Sequence, residues 1–504
     1  MAHRTAQRLR CFRENGLSGE RRPELGCPSA IAGRPPPRYP PGSSLTPGTR
    51  VERQGAVSAH GVALSERTTG RPPVPGDAPA AVLRLDDLGQ ALDAAAEIDD
   101  VSGLGRAQGE LSMNPRVRRL SGSLGSLLLL ASVLPAATGP DTLEITSAVL
   151  GETRRVEVHL PASYAWATDH RYPVLYLLDG QTHGGHAVAS SEFLAAQGQL
   201  PELIVVSLHS TVRVRDFTQT DWPQAWIGGG GAANFTRFLL TELVPCIEAD
   251  YRAAPFRILV GHSASGQFVL HQLATEPASF HAYLALAPSL DWDGQLPIRE
   301  LEAALPRTGR PARFVYFAYG DDHEQALADD LRLARALDAA APGSLRAKVR
   351  AFPGETHSAL PLLATIDGLR ALYADYALPE GLAAQGLAAV DAHYTALSNR
   401  LGTPVAVPDA ALNEVGYQLL GSERVDEALE VFERAARENP NSANAWDSLA
   451  EALENAERRD EALRASERAV ELAIRFGLPD RASFERNLAE LEETARTGAA
   501  SRAD

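Results

Sequence analysis

The sequence predicts an α/β protein: a mostly parallel sheet covered by helices on both faces, followed by an all-α module. Three observations carry this prediction. Between residues 140 and 378, strand-like apolar runs alternate with helix-length segments in a βαβ rhythm. One of those runs, Phe256-Arg-Ile-Leu-Val260, passes into the helical pattern Gln267-Phe-Val-Leu-His-Gln-Leu273 through Gly261-His-Ser-Ala-Ser-Gly266, a corner with a serine at its tip. Beyond residue 408, apolar residues and alanines recur at a 34-residue spacing, which is a helical-repeat signature.

Residues 1–112 are dominated by Arg, Pro, Gly and Ser, as in Gly33-Arg-Pro-Pro-Pro-Arg-Tyr-Pro-Pro-Gly42. Such a composition buries too little apolar surface to offset chain entropy, so disorder is expected, with Leu83 to Ile98 as one short helix at most. The chain has two methionines, Met1 and Met113. After the second come the basic stretch Asn114-Pro-Arg-Val-Arg-Arg-Leu120, an apolar core from Leu124 to Leu134, and Pro-Ala-Ala-Thr-Gly139. This is the layout of a cleaved secretory signal over residues 113–139. The expectation is therefore a start at Met113, an over-extended reading frame before it, and a periplasmic or secreted mature chain. The apolar core falls short of the roughly 20 residues of a membrane span. Cys246 is then the one cysteine of the mature chain, with no internal bridge, zinc knuckle or thiol catalyst indicated.

The sheet is expected to open with an edge hairpin, Thr142–Leu150 and Thr153–Leu160, in which polar and apolar residues alternate about a turn at Gly151-Glu152. Pro173-Val-Leu-Tyr-Leu-Leu-Asp-Gly180 is a buried strand with its exit loop. Gly228–Gly231 precedes a helical pattern carrying Phe235, Phe238, Leu239 and Leu243. It lacks the Lys and Ser/Thr of a phosphate-binding loop and is read as a flexible hinge. Arg213 and Arg215 could steer an anionic substrate or pair with Asp216. Arg313–Ala318 and Ala347–Phe352 are the last two strands.

The chemistry follows from where those strands end. A serine between strand and helix, preceded two residues earlier by glycine, is the nucleophile-elbow arrangement, in which Ser263 Oγ stands above the sheet. Ser265 replaces the usual second glycine and is small enough to be tolerated. A serine needs a base, and the base needs an orienting acid. Asp321, Asp322 and Glu324 emerge after the strand at 313–318, with Asp322 or Glu324 the choice for the acid; one of the three caps the helix that begins near Gln325. His357 lies just past the final strand, where the base belongs. The Ala264 and Gln181 amides are the candidate oxyanion donors. His183 and His186 hold too few neighbouring ligands for a metal site, and they are read as lining the pocket or its surface.

Residues 142–375 resemble the esterase D-like branch of the α/β-hydrolases, which includes siderophore esterases of the enterobactin-hydrolase type. The resemblance rests on Tyr172–Gly180, Arg213–Thr218, Asn234–Phe238 with Glu242–Pro245, Tyr251–Ser263, Ala287–Trp292 and Phe352–His357. It implies an α/β-hydrolase fold and a serine carboxylesterase using Ser263 and His357, in a family where some members work with a weakly placed acid. Relatives cleave siderophore lactones, acyl thioesters and simple acetyl esters, so the substrate stays open.

Leu412 and Trp446, Val415 and Leu449, Leu419 and Leu453, Ala428 and Ala462, and Ala435 and Ala469 are each 34 residues apart. Residues 409–498 are thus read as tetratricopeptide-like repeats with a capping helix from Asp480 to Thr497, after a helical linker at 379–408. Two repeats and a cap are few for a free solenoid, so they are expected to dock on the hydrolase domain. They present either a partner-binding groove for a protein or peptide or a stabilising contact. The chain carries 64 acidic and 48 basic residues, a net charge of −16, which argues against nucleic acid or an anionic membrane as partner. The reading is an exported serine carboxylesterase acting on a small-molecule ester without a cofactor. An acyltransferase of the same fold and an inactive, partner-binding scaffold are the alternatives.

Overall fold

The computed structural model describes residues 12–13, 139–222, 228–305, 313–321, 324–340 and 345–500. But for Phe12–Arg13 and Gly139, the expectations for residues 1–112 and 113–139 fall outside them. The strands are β1 (Phe12–Arg13), β2 (Asp141–Ser147), β3 (Glu152–His159), β4 (Tyr172–Leu178), β5 (Ile204–Leu208), β6 (Ala253–His262), β7 (Ala282–Leu286), β8 (Arg313–Gly320) and β9 (Leu345–Phe352). They form one sheet in the order β1-β2-β3-β5-β4-β6-β7-β8-β9. The pairs β1–β2, β2–β3 and β3–β5 are antiparallel, and every pair from β5–β4 onward is parallel. The hairpin β2–β3 turns through Ala148–Gly151, with Gly151 at φ +70.

The middle strands are buried on both faces, which explains their unbroken apolar runs. Leu175 and Leu177 face one core, with Ala187 and Leu194 of α1 (Gly180–Ala196) and Leu360 to Leu372 of α8 (Leu360–Leu372). Val174, Tyr176 and Leu178 face the other. That face is covered by α2 (Arg213–Phe217), α3 (Ala232–Phe238), α4 (Val244–Asp250), α5 (Ala264–Thr275), α6 (Trp292–Ala304) and α7 (Glu324–Asp338). A π turn at Leu239–Leu243 joins α3 to α4. The outer strand β9 carries Arg346, Lys348 and Arg350, charges that discourage a further strand from adding at that edge.

Gly228–Gly231, expected as a hinge, is tied down. Gly230 N–H donates to Thr218 Oγ1 at 3.1 Å, Gly231 N–H to Arg215 O at 2.8 Å, and Gly229 bridges Asp221. The first three glycines sit at positive φ, so glycine is needed for the turn itself. The arginines are engaged as well. Arg215 pairs with Asp216 at 2.7 Å and Glu152 at 2.7 Å, and Arg213 with Asp179 at 2.8 Å. Cys246 is disulfide-bonded, which corrects the expectation of a lone thiol.

The C-terminal helices are α9 (Leu387–Leu401), α10 (Asp409–Gly421), α11 (Val425–Glu438), α12 (Ala443–Asn455), α13 (Arg459–Phe476) and α14 (Arg481–Ala500). Helices α10 and α11 begin 34 residues before α12 and α13. Close packing explains the small residues. A Cβ on Gly416 would overlap the Phe432 ring, so the two helices of this pair approach through that glycine. The module shares the core on the α1/α8 face, continuing from Tyr373 and Tyr376 through Val390 and Tyr394 to Leu412 and Leu449. Asn441 adds a polar tie, its Nδ2 donating to Trp166 O at 3.1 Å.

Candidate active site

Strand β6 ends at His262 and α5 begins at Ala264, leaving Ser263 alone at the corner with φ +61 and ψ −121. An L residue there is strained by about 1–3 kcal/mol and persists only where its surroundings dictate the conformation. They do so here. Ser263 N–H donates to Leu286 O at 3.0 Å, while its carbonyl accepts from Gln267 at 2.9 Å and Ser289 at 3.1 Å. The chain folds back so tightly that a Cβ on Gly261 would sit 2.5 Å from the Ser265 carbonyl carbon. Gly261→Ala is accordingly expected to destabilise the fold by about 1–3 kcal/mol through overpacking, and to reduce activity further by tilting Ser263. Urea titration and turnover per folded molecule check the two effects separately.

Ser263 Oγ lies 3.4 Å from Ser289 Oγ. Ser289 belongs to the Ala287–Trp292 stretch, and nothing local marks it as a site residue; only the fold brings the β7 exit against the elbow. Ala264 and Gln181 are the first and second residues of α5 and α1, so their N–H groups lack intrahelical acceptors. Both helices start at the carboxyl ends of the paired strands β4 and β6. The Gln181 side chain bonds the Ser210 backbone, its Oε1 accepting from Ser210 N at 3.0 Å. Gly180 lets α1 start hard against β5: a Cβ there would lie 2.7 Å from the Ser207 carbonyl carbon.

His357 stands on the turn after β9. Asp321, at the end of β8, fastens that turn, with Oδ2 accepting from Gly354 N at 2.6 Å and its own N–H donating to Glu355 O at 3.1 Å. Asp322 lies outside the described residues, as does the side chain of Glu324, which opens α7. The link between His357 and the elbow is His262, a residue the sequence reading passed over although it adjoins Ser263. Its Nε2 is 2.8 Å from His357 O, and the two rings are 4.6 Å apart. A carbonyl only accepts, so His262 Nε2 carries the hydrogen.

His183 packs edge-on to His262 at 5.1 Å, and its Nδ1 is 3.1 Å from His186 Nε2. The two histidines considered for metal binding therefore bond each other; among the described residues no three His, Cys, Asp or Glu are grouped to hold a metal ion. Burial pushes His262 down to about 3 and His186 down to about 4, and lowers His183 as well. His281, stacked on Phe256 and beside Arg313 and Arg257, falls to about 4, again chiefly through burial.

These groups stay neutral in the fold while an unfolded chain would take up protons from about pH 6.5 downward. The unfolded state then binds more protons, so stability is expected to fall as pH drops from 6.5 toward 4. Asp447 acts in the opposite sense, since burial raises its carboxyl to about 6, and it offsets part of the loss. A lower urea midpoint at about pH 4.5 than at pH 7, with a smaller difference in His186→Gln, is the expected result.

A serine held at a strained strand–helix corner, with a histidine turn bonded to it at the carboxyl end of a mostly parallel sheet, defines an α/β-hydrolase-type protein. The chain belongs to the esterase family described as "Putative esterase", whose model matches residues 147–384. It is a hydrolase acting on ester bonds. It is similar to the ferri-bacillibactin esterase BesA of Bacillus subtilis, 32% identical over 222 residues covering 38% of this chain and 76% of that protein. It is also similar to the siderophore triacetylfusarinine C esterase of Aspergillus fumigatus, 27% identical over 32% of this chain and 60% of that one. Among solved structures, an IroE-like serine hydrolase from Shewanella oneidensis matches with a TM-score of 0.54 and 28% identity, covering 59% of this chain and 99% of its own.

Proposed function

We propose that the chain is a serine carboxylesterase acting on a small-molecule ester, with Ser263 as nucleophile and His357 as base. The observation that carries this reading is the 2.8 Å bond from His262 to His357 O, which ties the histidine turn to the residue before the serine. Ser263 Oγ attacks the ester carbonyl carbon as His357 takes its proton. The oxyanion is held by the Ala264 and Gln181 N–H groups, at helix ends whose dipoles favour negative charge. His357 then protonates the departing alcohol, leaving an acyl-serine. Water, deprotonated by His357, attacks the acyl carbon, and the proton returns to Ser263 as the acid departs. Asp322 or Glu324 serves as the acid that orients the imidazole.

The named activities of the two curated relatives support a siderophore ester as the first substrate class to test. Incubation with a siderophore trilactone, followed chromatographically for ring-opened products, should show hydrolysis by the wild type and none by His357→Ala. Turnover of p-nitrophenyl butyrate without cleavage of the trilactone would keep the esterase reading and reject that substrate. We read α10–α13 as tetratricopeptide-like, supported by their 34-residue offset. The layout after Met113 supports export.

A further inference from the structure

Ser265 occupies the place where the elbow usually has a second glycine, and its side chain is fully buried. Its Oγ is 2.7 Å from Asp179 Oδ2 and accepts from His262 N at 2.9 Å, with His262 O also 2.9 Å away. A hydroxyl has one proton, and a carboxylate is the stronger acceptor, so the proton goes to Asp179. Asp179 is itself unusual. It is a buried carboxylate on a residue with φ +56, directly before Gly180 and α1. It also receives Arg213 Nε at 2.8 Å and Nη2 at 2.9 Å. One carboxylate thus joins α5, the loop leading into α1, and α2. The two candidate oxyanion donors flank this junction: Gln181 follows Asp179 by two residues, and Ala264 immediately precedes Ser265.

We propose that Ser265 is a positioning residue: through its bond to Asp179 it sets the separation of the Gln181 and Ala264 N–H groups that hold the oxyanion. The inference rests on Ser263 being the nucleophile. Glycine or alanine at 265 removes this hydrogen bond from the elbow helix to the Asp179 loop, leaving the carboxylate to Arg213. A shift of one donor weakens an interaction made only in the transition state, so kcat falls while KM is spared.

The test uses the full chain carrying Ser265→Ala, Ser265→Gly, Asp179→Ala and the Ser265→Ala/Asp179→Ala pair, with Ser263→Ala as reference. Active sites are titrated with a fluorophosphonate so that rates refer to competent molecules. On p-nitrophenyl butyrate, both Ser265 variants are expected to lose about 10-fold in kcat with KM within about two-fold of wild type. The double variant should fall no further than Asp179→Ala alone, because both changes remove the same bond. A wild-type kcat per titrated site, even with a lowered melting temperature, would show that the bond is structural only and overturn the inference. Losses that multiply in the double variant would overturn it too. More than about one hundredth of wild-type turnover in Ser263→Ala would overturn the nucleophile reading as well, and that outcome is distinct from a nearly inactive Ser263→Ala beside an unimpaired Ser265→Ala.

Discussion

Ser263→Ala is expected to reduce ester turnover by roughly 10⁵-fold and to abolish fluorophosphonate labelling, with little change in stability. The size follows from the nature of the step: without Oγ no acyl-enzyme forms, and what remains is binding and whatever the oxyanion donors do for attack by water. The small stability effect follows from the site. Ser263 is part-exposed, its Oγ has a 3.4 Å contact with Ser289, and alanine meets the same backbone strain at φ +61. Turnover per folded molecule, labelling and a urea midpoint together check the three parts. Retention of more than about one hundredth of wild-type turnover would place the nucleophile elsewhere.

The largest expected effect on stability lies one layer below the site. Arg154 is fully buried, with Nη2 2.5 Å from Asp216 Oδ2 and 2.6 Å from Glu152 Oε1. Its Nε and Nη1 have no hydrogen-bond partner among the described residues, so the charge depends on these two carboxylates. Asp216 also accepts from Arg215 Nε at 2.7 Å. Asp216→Ala leaves a guanidinium in the core with half its compensation gone, and a loss of about 3–5 kcal/mol is expected. Asp216→Asn, which keeps the shape and one acceptor, should lose less. A loss below about 1 kcal/mol in the alanine variant would mean that water or Glu152 takes over the charge. Because α2 carries both Arg213 and Asp216, activity should fall along with stability.

Much of the hydrolase architecture was legible because its signals are local. Buried parallel strands read as unbroken apolar runs, so β4, β6 and β8 were placed to within a few residues. The corner at Ser263 was legible because a turn this tight excludes side chains at Gly261. The helical pairs were legible through their repeat. Ser265 illustrates the opposite case: in sequence it is a small residue in place of glycine, and only the register of β4 against β6 brings Asp179 to its hydroxyl. Arg213 and Arg215 likewise offered two readings until Asp179, Glu152 and Asp216 appeared beside them.

The sequence by itself determined the order of strands and helices, the serine corner, the histidine turn past the last strand and the 34-residue helix spacing, because each is set by neighbours in the chain. Tertiary structure alone decided that His262 bonds the His357 turn across the sheet end, that Ser289 meets Ser263, and that Asp179 holds elbow and arginine together. It also decided that the C-terminal helices extend the core of the α1/α8 face. These contacts join residues from 26 to 95 positions apart at the site, and a hydrogen bond over such a separation leaves no periodic mark in the chain that makes it.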